Sequence, residues 1–132
     1  MNLIHDTKLS LFTEVPDDKE LNILYYLNQQ NTPEVGELES INDLSKLIGM
    51  SAVNFYVLAG DEIIGFVICF REGSEYKSPN YSYFKNKEDK FLYIDRVVIK
   101  DAYRRRGAGS YLYDHLHELA KKEGIPLCCE VN

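Results

Sequence analysis

Apolar residues recur along this chain with two different spacings, and the switches between them mark out its elements. In "KELNILYYLNQQ", Leu21, Leu24, Tyr25 and Leu27 fall on one face of a helix, with Asp17 or Asp18 as its N-cap. Ser40 with Asp43 three residues on resembles a capping box, and Ile41, Leu44, Leu47 and Ile48 supply the stripe of a second, short helix ending near Gly49. Lys8 to Val15 alternates weakly, as a first strand. "VNFYVLA" and "EIIGFVICF" are rich in β-branched and aromatic residues, and the intervening Gly60-Asp61 predicts a two-residue hairpin. From Arg71 to Lys90 the chain turns polar yet keeps Tyr76, Tyr81, Tyr83 and Phe84, which predicts an ordered excursion. "FLYIDRVVI" is a further strand. A helix from about Gly107 to Glu123 follows, carrying Ala108, Tyr111, Leu112, His115, Leu116, Leu119 and Ala120 at helical spacing, with Lys121 and Lys122 in its last turn and Gly124 as its stop. "IPLCCEVN" closes the chain as a short strand. A helix separates it from "FLYIDRVVI", so the two are expected to be parallel neighbours joined by a right-handed crossover. The expected fold class is α/β (α+β), a central mixed sheet flanked by helices.

Composition narrows the field. The chain has 132 residues, enough for one core, and 45% hydrophobic against 27% charged residues describes a globular domain. The formal net charge of -6 disfavours a broad electrostatic grip on nucleic acid, so any anion site must be local. Cys69, Cys128 and Cys129 fit neither a disulfide framework nor a zinc spacing, and three scattered histidines give no metal site. The N-terminus lacks the apolar run of a signal peptide and no window is long enough to span a bilayer, so a cytoplasmic location away from membranes is expected.

The unusual feature is "RRRGAG". Three arginines repel one another and glycine is a poor helix former, yet both stand at a helix entrance. A helix N-terminus has unpaired N–H groups and a partial positive charge, and adjacent glycines let an anion approach the main chain; forked guanidinium donors suit phosphate oxygens. The bland reading is a solvated loop with one tight turn. The pattern lacks Gly-x-Gly-x-x-Gly and the Gly-Lys-Ser/Thr ending of a P-loop. It matches Arg/Gln-x-x-Gly-x-Gly/Ala, as Arg104, Gly107 and Gly109, directly after Val97, Val98 and Ile99. This resembles the central motif of the GNAT superfamily of acyl-CoA-dependent N-acyltransferases. "NTPEVGEL", "YKSPNYSYF", "FLYIDRVVI" and "CEVN" also look like segments of a little-characterised bacterial group of predicted GNAT acetyltransferases.

The resemblance implies acetyl-CoA as co-substrate and an amine acceptor, either a small molecule or a peptide N-terminus. It assigns the CoA pyrophosphate to the main-chain N–H groups of Arg104, Arg105, Arg106, Gly107, Ala108, Gly109 and Ser110. It assigns the pantetheine arm to the main chain of Val97, Val98 and Ile99, after a bulge in that strand, with the cleft opening where the next strand splays away. It also implies a further helix and two strands beyond Asn132, a region that often supplies a tyrosine general acid. The expectation is therefore a single GNAT-like domain over residues 1–132, short at its C-terminus. Its exposed last strand invites pairing with another chain, and homodimerisation through it is one expectation.

Direct attack of an amine on a thioester needs positioning, proton removal and oxyanion stabilisation, but no protein nucleophile. Cys128 and Cys129 accordingly read as packing residues. Asp95, an acid inside an apolar strand, is the leading base; Arg96 is adjacent, and an edge-facing Asp paired with a loop arginine is its structural alternative. Tyr93 shares its parity, as a water-holding residue or as packing, and Glu130 on the last strand is a third candidate. His115 lies on an apolar stripe and reads as a core histidine; His5 and His117 read as solvent positions. Tyr76, Tyr81, Tyr83 and Phe84 are candidates for a substrate lid, against a structural flap sealing the sheet. Two readings stand: an N-acetyltransferase, or a non-catalytic CoA-binding or protein-interaction module derived from such a domain.

Overall fold

The computed structural model describes residues 9–12, 16–32, 35–104 and 107–129. Its elements, in order, are β1 (Leu9–Phe12), α1 (Asp18–Gln30), α2 (Ile41–Met50), β2 (Val53–Ala59), β3 (Glu62–Arg71), α3 (Pro79–Lys87), β4 (Leu92–Ile99), α4 (Ala108–Glu123) and β5 (Leu127–Cys129), with a 3-10 turn at Asp101–Tyr103. The strands form one sheet in the order β1-β2-β3-β4-β5. Neighbours run antiparallel except β4 and β5, which are parallel and joined through α4, as the crossover rule requires.

The two periodicities of the sequence become two layers of core. Leu24 and Leu27 of α1, Leu44 and Leu47 of α2 and Tyr81 of α3 bury one sheet face against Tyr56, Phe66, Ile68, Phe70 and Tyr93. On the other face α4 lays down Ala108, Leu112, Leu116 and Ala120, four residues apart, over Phe55, Val67, Cys69, Ile94 and Ile99. Local signals set the helix ends. Asp17 caps α1 in a capping box with Glu20, Ser40 accepts the Asp43 N–H at the start of α2, and Gly124 ends α4 in the left-handed conformation. At Gly65 a Cβ would lie 2.4 Å from the Val98 carbonyl oxygen, so only glycine lets β3 approach β4 there.

The polar excursion contains α3, a helix that periodicity did not reveal because Tyr81 is its one buried residue. Ser78 accepts the Tyr81 N–H as N-cap, and Pro79 occupies the first turn, where its missing N–H costs nothing. The ends of the excursion are tied by Glu72, which takes two hydrogen bonds from Arg71 and one from the Phe91 N–H at 3.0 Å. The Arg71 side chain hydrogen-bonded to it holds the Glu72 carboxyl below its ordinary pKa. Tyr81, weighed between a substrate lid and a flap sealing the sheet, belongs to the core: it is fully buried, donates to the Arg71 carbonyl at 2.6 Å and accepts from the Ser74 N–H at 3.1 Å. Tyr81→Phe strands both main-chain groups and should destabilise the fold by about 1–3 kcal/mol, measured as a shifted midpoint at constant slope in urea unfolding.

Candidate active site

Side chains of a regular strand alternate between sheet faces, yet Asp95 and Arg96, consecutive in β4, reach the same face. The register explains it. Val67 pairs with Val97, Ile68 with Arg96 and Cys69 with Ile94, leaving Asp95 as the extra residue of a β-bulge. Among the described residues, the parallel pairing with β5 runs from Leu92↔Leu127 to Ile94↔Cys129 and ends immediately before this bulge. The bulge precedes Val97, Val98 and Ile99, the stretch whose main chain is expected to receive a ligand.

At this place lies a cleft of about 320 Å³, lined by Tyr76, Asn80, Asp95, Val97, Tyr113, Cys129 and the Val35–Gly36 loop, among others. The Asp95 side chain is only 6% exposed. Its Oδ1 accepts from the Tyr76 hydroxyl at 2.5 Å and its Oδ2 from Arg96 Nε at 2.6 Å. Arg96, 8% exposed, also donates to Asn28 Oδ1 at 2.8 Å and to the Gly36 carbonyl at 3.1 Å. One hydrogen-bonded chain therefore runs from α1 through the α1–α2 loop and the bulge to the excursion. Asp95 thus lines the cleft and is paired with Arg96, its neighbour in β4, where a loop arginine was the expected partner.

Of the four lid candidates, Tyr76 alone lines this cleft, its ring stacked on Phe70 at a centroid distance of 4.2 Å. Burial, reinforced by the charge of Asp95, pushes its phenol well above the ordinary range, so it is a proton-bearing donor. Tyr83 is exposed with Lys87 over its ring, and Phe84 packs against Tyr93. Tyr93 lines the cleft but is almost wholly buried, stacked on Tyr81. Glu130, Arg105 and Arg106 lie outside the described residues. Tyr113, which sequence reasoning missed because it stands off the apolar stripe of α4, enters the cleft from the other sheet face; burial raises its phenol pKa.

The motif loop lies at the other end of β4. Gly107 adopts φ +87°, a conformation that strains any other residue, and no side chain caps α4 among the described residues. A helix start without a side-chain cap among the described residues fits an anionic group at its first-turn N–H groups. Arg104, expected to offer free donors there, is engaged within the fold. Its N–H donates to the Asp101 carbonyl, and its guanidinium to the Ile99 carbonyl and to Asn31 Oδ1. It braces the loop against the end of α1, beside a second depression of about 480 Å³ lined by Asn31, Lys100, Asp101 and Arg104. Cys69 and Cys128 are buried, and burial raises both thiol pKa values. His115 meets Phe55 edge-on at 5.3 Å. Among the described residues, no helix is long and apolar enough to cross a membrane and no group of three or more His, Cys, Asp or Glu is placed to hold a metal ion.

The model of the Acetyltransferase (GNAT) family matches residues 19–132. The chain belongs to that family. No curated protein matches its sequence. Among solved structures it is similar to a possible acetyltransferase from Clostridium difficile 630 (17% identity, 94% of this chain and 80% of that one, TM-score 0.66). It is also similar to the aminoglycoside N-acetyltransferase AAC(6')-Iy in complex with a bisubstrate analogue, CoA-S-monomethyl-acetylneamine (12%, 96% and 81%, TM-score 0.66). A third is Arabidopsis thaliana Naa50 in complex with the bisubstrate analogue CoA-Ac-MVNAL (20%, 92% and 70%, TM-score 0.63). At these identities the likeness is one of fold.

Two predictions follow from the geometry. Arg96→Ala leaves the Asp95 carboxylate buried and unpaired, and should cost about 3–5 kcal/mol in urea unfolding, whereas removing both charges together, as Asp95→Asn with Arg96→Met, should cost less. Alkylation of the native protein at pH 8 should label Cys129, the partly exposed thiol, well before Cys69 and Cys128, as read by peptide mass spectrometry.

Proposed function

We propose that this protein is an acyl-CoA-dependent N-acyltransferase that moves an acetyl group to a primary amine bound in the cleft beside Asp95. The observation that carries this reading is the bulge at Asp95, which joins an acidic side chain, a cleft and a run of main chain on one strand. Acetyl-CoA fits the residues present. The first turn of α4 after Gly107, with Ala108, Gly109 and Ser110, would hold its pyrophosphate, and the main chain of Val97, Val98 and Ile99 would pair with its pantetheine arm. Bound there, it supplies an activated acyl group.

The residues of the chain then have distinct tasks. Asp95 orients the acceptor by charge. The ammonium first loses one proton to solvent, and the neutral amine gives a second to Asp95 as its nitrogen bonds to the acyl carbon, while the thiolate leaving group is protonated from solvent. Arg96, bonded to Asn28 and Gly36, holds that carboxyl in position. Main-chain N–H groups of β4 beyond the bulge stabilise the charge developing on the carbonyl oxygen. The acceptor enters past the Val35–Gly36 loop and the excursion, both of which border the cleft. Small amines, aminoglycosides and peptide N-termini form the panel of acceptors, in keeping with the structural relatives.

Titration calorimetry with acetyl-CoA should give one-site binding that Gly107→Asp abolishes, since a carboxylate and a Cβ at the left-handed position oppose the pyrophosphate. Free-thiol release with the amine panel should fall by about 100-fold or more in Asp95→Asn with acetyl-CoA affinity retained. Absence of binding heat for the native protein overturns the reading. Binding without thioester consumption across the panel replaces it with a non-catalytic CoA-binding module.

A further inference from the structure

We propose that the acceptor is a peptide amino terminus followed directly by acidic residues, with its amine in the cleft at Asp95 and its acidic side chains at Lys77 and Lys85. This rests on the acyltransferase reading and narrows its acceptors to one class.

The cleft has a neighbour. A broad depression of about 980 Å³ is lined by residues 73–79 together with Met50, Ser82 and Lys85, and Tyr76 and Ser78 line both cavities. Tyr76 forms the wall between them, with its hydroxyl 2.5 Å from Asp95 Oδ1 on the cleft side. That wall is firm: the ring is stacked on Phe70, and the Tyr76 N–H is held by Ser74 Oγ at 3.1 Å. The depression is therefore reached from Asp95 across the length of one tyrosine side chain. A compact amine is accommodated by the cleft of about 320 Å³ alone, whereas an extended chain with its amino group at Asp95 runs on into the larger space.

Charge decides which chain. The charged side chains of the cleft are Asp95 and Arg96, bonded to each other, so nothing there balances a polycation such as an aminoglycoside. In the depression two ammonium groups, Lys77 and Lys85, stand against one carboxylate, Glu75. Both lysines are exposed and neither forms an ion pair with a described residue, whereas Lys100 is held by Glu62 and Arg71 by Glu72 and Glu123. This local excess of positive charge sits on a chain of net charge -6, so an acidic peptide is drawn to the depression and repelled by the protein at large. The loop that follows Gly36, on another border of the cleft, exposes Glu37 and Glu39, which turns the acidic stretch toward the excursion. Met50, 36% exposed at the edge of the depression, offers an adaptable apolar contact to the peptide's other side chains.

Fluorescence anisotropy of peptides labelled at the carboxyl end, with the protein saturated with coenzyme A, reads this recognition without turnover. A peptide beginning Ala-Glu-Glu should bind about five-fold tighter than one beginning Ala-Gln-Gln at low ionic strength, and Ala-Lys-Lys more weakly than either. Lys77→Glu combined with Lys85→Glu should reverse that order, with folding checked by thermal unfolding. Moving the two glutamates to the far end of the peptide should cancel the gain. Absent binding, equal affinity for the three peptides, an order that survives the charge reversal, or a gain indifferent to the position of the glutamates each overturns the proposal. In turnover the double variant should raise KM for the acidic peptide by about ten-fold and leave kcat unchanged, because the lysines hold ground state and transition state alike. An aminoglycoside acetylated in preference to the acidic peptide, or free glutamate competing as well as that peptide, also overturns it. A wild type that acetylates no amine removes the acyltransferase reading and the acceptor role with it, and the anisotropy series then decides separately whether Lys77 and Lys85 recognise an acidic amino terminus.

Discussion

One extra residue in β4 governs this molecule. A strand without it would send Asp95 and Arg96 to opposite faces: one charge would enter the apolar layer under α4, and the two would be too far apart to neutralise each other. The bulge puts both on the face that carries α1 and α3, where Arg96 finds Asn28 and Gly36 and Asp95 finds Tyr76. Burying two charges is costly, and the cost is offset only because each oxygen of the carboxylate has a donor and the guanidinium has three acceptors. The same distortion falls where the described pairing with β5 stops. The neutralised charge pair, and its place beside the cleft, follow from that single irregularity.

The rest of the fold supplies the stiffness that this irregularity needs. On one side the Phe70–Tyr76–Tyr81–Tyr93 stack packs the excursion onto β3 and β4. On the other, α4 is clamped along its length by residues four apart, so its first turn, with Gly107 at its head, is held in position relative to β4. Arg104 adds a strut from the motif loop to the end of α1. A site spread over one strand, one loop and one helix end is thereby fixed from both faces of the sheet.

Much of this was legible in the residues. The hairpin at Gly60-Asp61, the α4 stripe with its glycine at each end, and the motif loop all follow rules of local chemistry that tertiary packing did not override. The parallel β4–β5 pair followed from the helix between them. What escaped has a common cause: it depends on contacts distant in sequence. Residues Pro79–Lys87 bury only Tyr81, so no periodic stripe announces α3. Tyr81 reads as lid or flap until Arg71 and Ser74 are seen at its hydroxyl. The meeting of Tyr76 with Asp95 spans 19 positions and leaves no spacing signature. The bulge did leave a trace, in that two adjacent charges inside an apolar strand suit no alternating pattern, but the trace does not say which face receives them. Arg104 was misleading in the opposite sense, since its charge suggested a free anion ligand while its partners lie within the fold.

The run from Val97 to Ile99 invites a last thought. Side chains there serve the two cores, Val98 in one and Ile99 in the other, so that in the proposed binding mode only peptide backbone meets the ligand. A peptide group is the same in every residue but proline. Recognition written in main chain therefore carries no record in the side-chain alphabet: substitutions at these positions are filtered by how they pack and not by what they bind. In the proposed binding mode this stretch would be free to drift among β-branched residues without change to its ligand, and the memory of the ligand would reside in the glycines and in the bulge.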